Sequence, residues 1–199
     1  MALKKKVEIL QTDLGLYKGT SLWDLKLKDF SRRIQEESWI ETFHLTRQWP
    51  ATIRVNVVAS PAYFVYLNNK GEFFPVMGNG EMLDPVNAGE IPDVPLVQDT
   101  DFQKSRELRV KLISILKDIP LRGTFSRAQI SEINYDKKTG FSFTLVREGL
   151  IVKIGEDQVR KKSLRVSEVM DYLEAKKFQA RVIDANLSQK VLVRLRKEP

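Results

Sequence analysis

Hydrophobic and polar positions alternate most regularly between Ile40 and Val58, in two runs that flank the pair Trp49-Pro50. Ile53, Val55 and Val57 point one way and Arg54 and Asn56 the other, the period-two signature of a half-buried antiparallel strand. Pro50 fixes its own φ and drives Trp49 toward extended geometry, so the strand leading in must stop there and the chain must reverse. The preceding run Ile40-Glu41-Thr42-Phe43-His44-Leu45 places His44 on the face opposite Phe43 and Leu45. A tight hairpin is therefore predicted, with strands from about Trp39 to Trp49 and from Thr52 to Val58.

Upstream, Val7 to Leu10 reads as a short first strand, followed by a loop through Gly15 and Gly19. Ser21-Leu22-Trp23-Asp24 has the form of a helix capping box. Leu27, Phe30 and Ile34 follow at helical spacing, with Lys28, Arg32, Arg33 and Glu36 outside. The predicted order is β-α-α-β-β, a unit of about 60 residues, which is small but able to fold alone.

The pattern changes near Ser60-Pro61. Tyr63 to Leu67 is a strand, Asn68-Asn69-Lys70-Gly71 a hairpin turn, and Glu72-Phe73-Phe74 the return. Gly78-Asn79-Gly80 reads as a turn, because a phosphate loop needs a strand before it and a helix after it. The prolines from Asp84-Pro85 to Val94-Pro95 preclude a continuous ladder. A single helix is predicted from Asp101 to Leu116, with Leu108, Leu112 and Ile115 on one face. Strands follow at Ile130 to Tyr135, Phe141 to Arg147 and Leu150 to Ile154. A helix from Ser163 to Ala175 buries Val166, Val169, Met170 and Leu173, and the last strands are Ala180 to Asp184 and Lys190 to Leu195. The fold class is α+β, with a small unit over residues 1–61 and a larger, mainly antiparallel sheet with helices on one side over 62–199.

Composition removes several chemistries. The chain has no cysteine and one histidine, which excludes disulfides, thiol catalysis, thiolate metal sites and multi-histidine metal sites. His44 reads as a surface strand residue, since nothing near it resembles a nucleophile elbow. The excess of 33 Lys and Arg over 26 Asp and Glu leaves a net charge of +7, which keeps an anionic partner in view. The basic clusters Lys4-Lys5-Lys6, Arg160-Lys161-Lys162 with Arg165, and Arg194 with Arg196-Lys197 do not alternate with aromatics, so they read as solvated faces rather than base-stacking platforms. No run of 18 apolar residues is present, and the three lysines lead straight into structure, as at the start of an excised region.

Taken in order, these pieces resemble the extracytoplasmic region of the FtsQ/DivIB cell-division family, a POTRA domain followed by a β domain. The likeness rests first on Gly19-Thr20-Ser21-Leu22-Trp23, Trp39-Ile40 and Arg47-Gln48-Trp49-Pro50. In the second half it rests on Gly71, Val94-Pro95-Leu96, Phe141-Ser142-Phe143-Thr144-Leu145, Glu148-Gly149-Leu150, Lys153-Ile154-Gly155 and Val182-Ile183-Asp184. The resemblance implies an N-terminal cytoplasmic tail and one transmembrane helix upstream. It places the region outside the cytoplasmic (inner) membrane at the division septum. It implies no catalytic activity and no cofactor or metal. FtsB- and FtsL-like partners are the expected ligands, with other division proteins meeting the POTRA unit and no nucleic acid bound, in a scaffold that helps regulate septal peptidoglycan synthesis. In this family the Trp49-Pro50 turn would shape the POTRA hairpin.

The last strand is often an edge strand, whose unpaired N–H and C=O groups can accept an extended segment. Taken alone it reads rather as a strand that closes the sheet and contacts nothing, because edge strands are usually protected against pairing. The resemblance implies binding there, over Ile183, Asp184, Ala185, Asn186, Leu187, Ser188, Gln189, Lys190, Val191, Leu192, Val193 and Arg194. Lys190 is placed to steer an acidic partner residue. Where many relatives have Leu-Arg and then an aromatic after the Ile-Asp pair, this chain has Ala185-Asn186-Leu187, and it ends its strand at Leu195 without an aromatic. Two other classes stay open: a basic nucleic-acid-binding module, and a POTRA-containing outer-membrane assembly protein, which would ordinarily bring repeated units or a barrel.

Overall fold

The computed structural model describes Glu8, Thr12 and residues 27–37, 39–50, 52–187 and 190–196. The strand expected over Val7 to Leu10 lies outside these residues except at Glu8. That residue is helical, and Thr12 Oγ1 donates to its carbonyl at 3.0 Å. The capping box at Ser21 and the side chains of Leu27 and Phe30 also lie outside.

Helix α1 (Leu27–Glu36) turns Ile34 fully inward and leaves Arg32 and Asp29 outside, 3.8 Å apart. It gives way to β1 (Ile40–Gln48), which pairs antiparallel with β2 (Thr52–Ala59), from Thr42↔Val58 to Gln48↔Thr52. The burial alternates as the sequence predicts, with Phe43, Leu45, Val55 and Val57 lying over Ile34 and Trp39. The peptide bond between Trp49 and Pro50 is cis.

A second, eight-stranded sheet has the order β10-β9-β8-β7-β6-β5-β3-β4. Its strands are β3 (Ala62–Leu67), β4 (Phe73–Met77), β5 (Leu96–Val97), β6 (Ile130–Asp136), β7 (Gly140–Leu145), β8 (Ile151–Gly155), β9 (Ala180–Asp184) and β10 (Leu192–Leu195). The sheet is mixed. Hairpins join β3 to β4 and β6 to β7 to β8, whereas β5 lies parallel to both β3 and β6, and β9 parallel to β8. Parallel neighbours need a crossover. From β5 to β6 it is supplied by α2 (Asp101–Lys104) with α3 (Arg106–Asp118), and from β8 to β9 by α4 (Val159–Ala175).

Both long helices cover one face, where Phe64, Phe102, Phe141, Phe143, Val152 and Ile154 are buried, while Glu132, Asn134 and Lys153 are exposed on the other. Phe102 sits at the centre, its ring edge-on to Phe64 at 5.9 Å and to Tyr135 at 6.2 Å. Fully burying such a ring stabilises the fold by about 1.5–3 kcal/mol.

The single helix expected over Asp101–Leu116 is two helices. Ser105 takes extended backbone (φ −108°, ψ 108°) and its hydroxyl accepts from the Leu108 amide, capping α3. The break lets Arg109 reach back. Its Nε donates to Gly80 O at 2.7 Å, and its Nη1 to Phe102 O at 2.5 Å and to Gln103 O at 3.2 Å. Gly78-Asn79-Gly80 is a turn, as expected, and it sits tightly on α3: a Cβ on Gly80, whose φ is +79°, would lie 2.7 Å from Val110. Just before this turn, buried Met77 leaves the larger core and packs with Ile34 and Trp39, and the Ser60 amide donates to Trp39 O at 2.9 Å.

Candidate functional site

The order of the second sheet leaves two outer strands, and they differ. Beside β4, a following segment returns to bridge Phe73↔Val86 and Val76↔Met82, and Leu83 N donates to Pro75 O. Beside β10, among the described residues, only β9 is paired.

The register shows which groups of β10 are open. Leu192 pairs with Asp184, Val193 with Ile183 and Arg194 with Val182. A bulge at Arg181 then brings Leu195 opposite Ala180. Arg196 N donates to Gln179 O at 2.8 Å, and Ala185 N donates to Lys153 O at 2.8 Å on the β8 side. In an antiparallel pair a residue's N–H and C=O point to the same side and alternate along the strand. Residues 192, 194 and 196 therefore bond toward β9. Val191, Val193 and Leu195 turn their main-chain groups outward.

The side chains of Val191 and Val193 pack on the large core, while Leu192 and Leu195 stand about half exposed, at 47% and 50%. Lys190, Arg194 and Arg196 are exposed along the same edge, and the Arg196 guanidinium donates to Glu148 O. A cationic, apolar-centred edge with outward amides can add one extended strand, and it favours an acidic one.

The loop feeding this strand is fixed by a buried lysine. Lys162, in the first turn of α4, is only 4% exposed. Its Nζ donates to Ile154 O at 2.9 Å, Asp157 Oδ1 at 2.6 Å and Asn186 Oδ1 at 3.2 Å. Three acceptors satisfy the three donors of an ammonium group. The hydrogen bond and charge of Lys162 hold the Asp157 carboxyl below the usual aspartate range. Asn186 also donates from its amide to Asp184 Oδ1 and from Nδ2 to Thr139 O, so its side chain ties β9 to the β6–β7 turn. Gly155, at φ +78°, lies against that carboxamide and has no room for a Cβ.

This arrangement corrects one expectation from sequence: the run Arg160-Lys161-Lys162 is not wholly a solvated face. A signal was present, since Val159, Lys162, Ser163 and Val166 follow i, i+3, i+4, i+7 and lie together on the buried side of α4.

Of the predicted binding residues, Ile183 and Ala185 are buried and cannot touch a partner directly. Asp184 and Asn186 are half-buried and engaged within the loop, and Leu187, Lys190, Leu192 and Arg194 are exposed. Ser188 and Gln189 lie outside the described residues. The last strand is shorter than predicted, beginning at Leu192 rather than Lys190. His44 is exposed opposite Asn56 on the outer face of the hairpin. Among the described residues no group of three or more His, Asp or Glu is placed to hold a metal ion, and no helix is long and apolar enough to cross a membrane.

Comparison with known proteins agrees with this architecture. A family model described as "POTRA domain, FtsQ-type" matches residues 6–58, and one described as "Cell division protein FtsQ/DivIB, C-terminal" matches residues 65–186. The second match stops just before β10. The chain is 29% identical over 196 residues to cell division protein FtsQ of Geobacter sp. (strain M21), covering 94% of this chain and 70% of that protein. It is 27% identical over 199 residues to the FtsQ of Geotalea daltonii, covering 96% and 70%. It is also 24% identical over 97 residues to cell division protein DivIB of Solibacillus silvestris, covering 49% and 33%. With the family's C-terminal model spanning more than half of its length behind an FtsQ-type POTRA match, the chain belongs to the FtsQ/DivIB family of cell-division proteins.

Proposed function

We propose that this chain is the extracytoplasmic part of a non-enzymatic divisome scaffold that takes an extended segment of an FtsB- or FtsL-type partner onto the open side of β10. In this reading residues 1–61 form the POTRA domain and 62–199 the β domain. An N-terminal helix anchors the whole protein in the cytoplasmic membrane at the septum, and partner capture helps regulate septal peptidoglycan synthesis. The observation that carries it is the outward main chain of Val193 and Leu195 on a strand paired only with β9 among the described residues. Lys190 and Arg194 add steering for an acidic segment rather than much affinity.

The test compares two prolines. Val193→Pro removes an amide that bonds to nothing within the sheet, whereas Arg194→Pro removes one directed at β9. Binding to the extracytoplasmic segment of the FtsB-type partner from the same organism is read by calorimetry. Val193→Pro should weaken it by about a hundredfold or more while the chain stays folded, whereas Arg194→Pro should lower stability as well. Parental affinity in folded Val193→Pro refutes strand addition at this edge.

A further inference from the structure

At the tip of the β1–β2 hairpin the Trp49-Pro50 turn reverses the chain, as expected, and its indole lies outside the buried cluster beneath the hairpin. Trp39 is buried at the centre of its cluster, while Trp49 is 85% exposed, the most exposed large apolar side chain among the described residues. It stands where two strands end in register at Gln48↔Thr52, beside exposed Pro50, so the ring is presented on a convex point rather than in a groove.

No Asp or Glu occurs between Glu41 and Glu72, and Glu41 lies at the opposite end of β1. Arg54 lies near the tip on β2, exposed opposite Thr46. An amphipathic indole prefers the boundary between apolar and wet surroundings, and guanidinium groups pair readily with phosphate oxygens. A carbohydrate platform or a peptide groove is normally concave, which this point is not.

We propose that this tip is a membrane-surface contact, with Trp49 seated at headgroup depth in an anionic leaflet and Arg54 beside the lipid phosphates. It does not depend on the strand-addition reading, because β10 belongs to the other sheet.

The experiment mixes the 199-residue chain, at low salt, with vesicles of phosphatidylglycerol and phosphatidylcholine in equal parts, or of phosphatidylcholine alone. Tryptophan emission and its quenching by brominated lipid are followed. The sequence has three tryptophans, so Trp49→Ala assigns the signal. A blue shift and quenching are expected on the anionic vesicles only. Partitioning should fall about tenfold in Trp49→Ala and about fivefold in Arg54→Gln, which changes one exposed charge and leaves the indole in place. Circular dichroism checks that both variants keep the parental fold. Absence of partitioning, equal partitioning to uncharged vesicles, or parental quenching in Trp49→Ala would each overturn the proposal. Emission that moves only on adding a partner protein would also overturn it and mark the tip as a protein contact.

Discussion

Replacing Lys162 by methionine tests whether a buried ammonium organises the approach to β10. Methionine keeps most of the apolar stem and removes the three donors. Ile154 O and Asn186 Oδ1 then lose a partner in a largely dry site, whereas Asp157, whose side chain is 71% exposed, turns to water at little cost. An orphaned buried acceptor costs about 1–3 kcal/mol, but the variant also escapes the desolvation of an ammonium group. The net expectation is a loss of about 2 kcal/mol in urea unfolding at unchanged m-value, with faster amide exchange at Asn186 and Leu187. Lys161→Met is the internal control. It alters the neighbouring residue of the same basic run on the exposed side of α4, and should stay within about 0.5 kcal/mol of the parent. Equal stability of the two variants would refute the assignment of Lys162 as a structural cation.

Gly155→Ala should be as damaging as Lys162→Met. It imposes a side chain at φ +78° against the Asn186 carboxamide, costing about 1–3 kcal/mol, and the β9–β10 loop should shift its NMR resonances. Asp157 has its folded pKa lowered by Lys162, so its contribution to stability is present above the pKa of the unfolded chain and is lost as pH falls through the folded value. Asp157→Asn should therefore be less stable than the parent at neutral pH, with the gap closing below the usual aspartate range. A gap independent of pH in acid unfolding would contradict this.

The parts of the fold legible in the sequence were those where one periodicity ran long enough to dominate. The β1–β2 hairpin declared itself through the alternation from Thr52 to Val57 after Pro50, and α4 through Val166, Val169, Met170 and Leu173, although it starts four residues earlier than predicted. Three features stayed hidden for physical reasons. Strand β5 is two residues long, too short for any period, yet it joins the two halves of the sheet through parallel pairings with β3 and β6. Ser105 sits within an uninterrupted helical pattern, and the break there goes with Arg109 bonds to the Gly80, Phe102 and Gln103 carbonyls, the first of them from a turn distant in the sequence. Lys162 carries the charge of a surface residue, and only its place on the apolar face of α4 marks it as buried. The candidate edge was foreseen from its position last in the chain. Which of its amides point outward depends on the register that sets Leu192 opposite Asp184, which no sequence pattern marked.

The central claim is tested most directly by residue-resolved amide hydrogen exchange along β10, with and without a saturating FtsB-type extracytoplasmic segment. In the free chain Val193 and Leu195 should exchange faster than Arg194, whose amide faces β9. In the complex Val193 and Leu195 should slow by about tenfold or more, while the amides of β1 and β2 keep their rates. A saturated complex in which Val193 and Leu195 exchange as they do in the free chain would contradict the account.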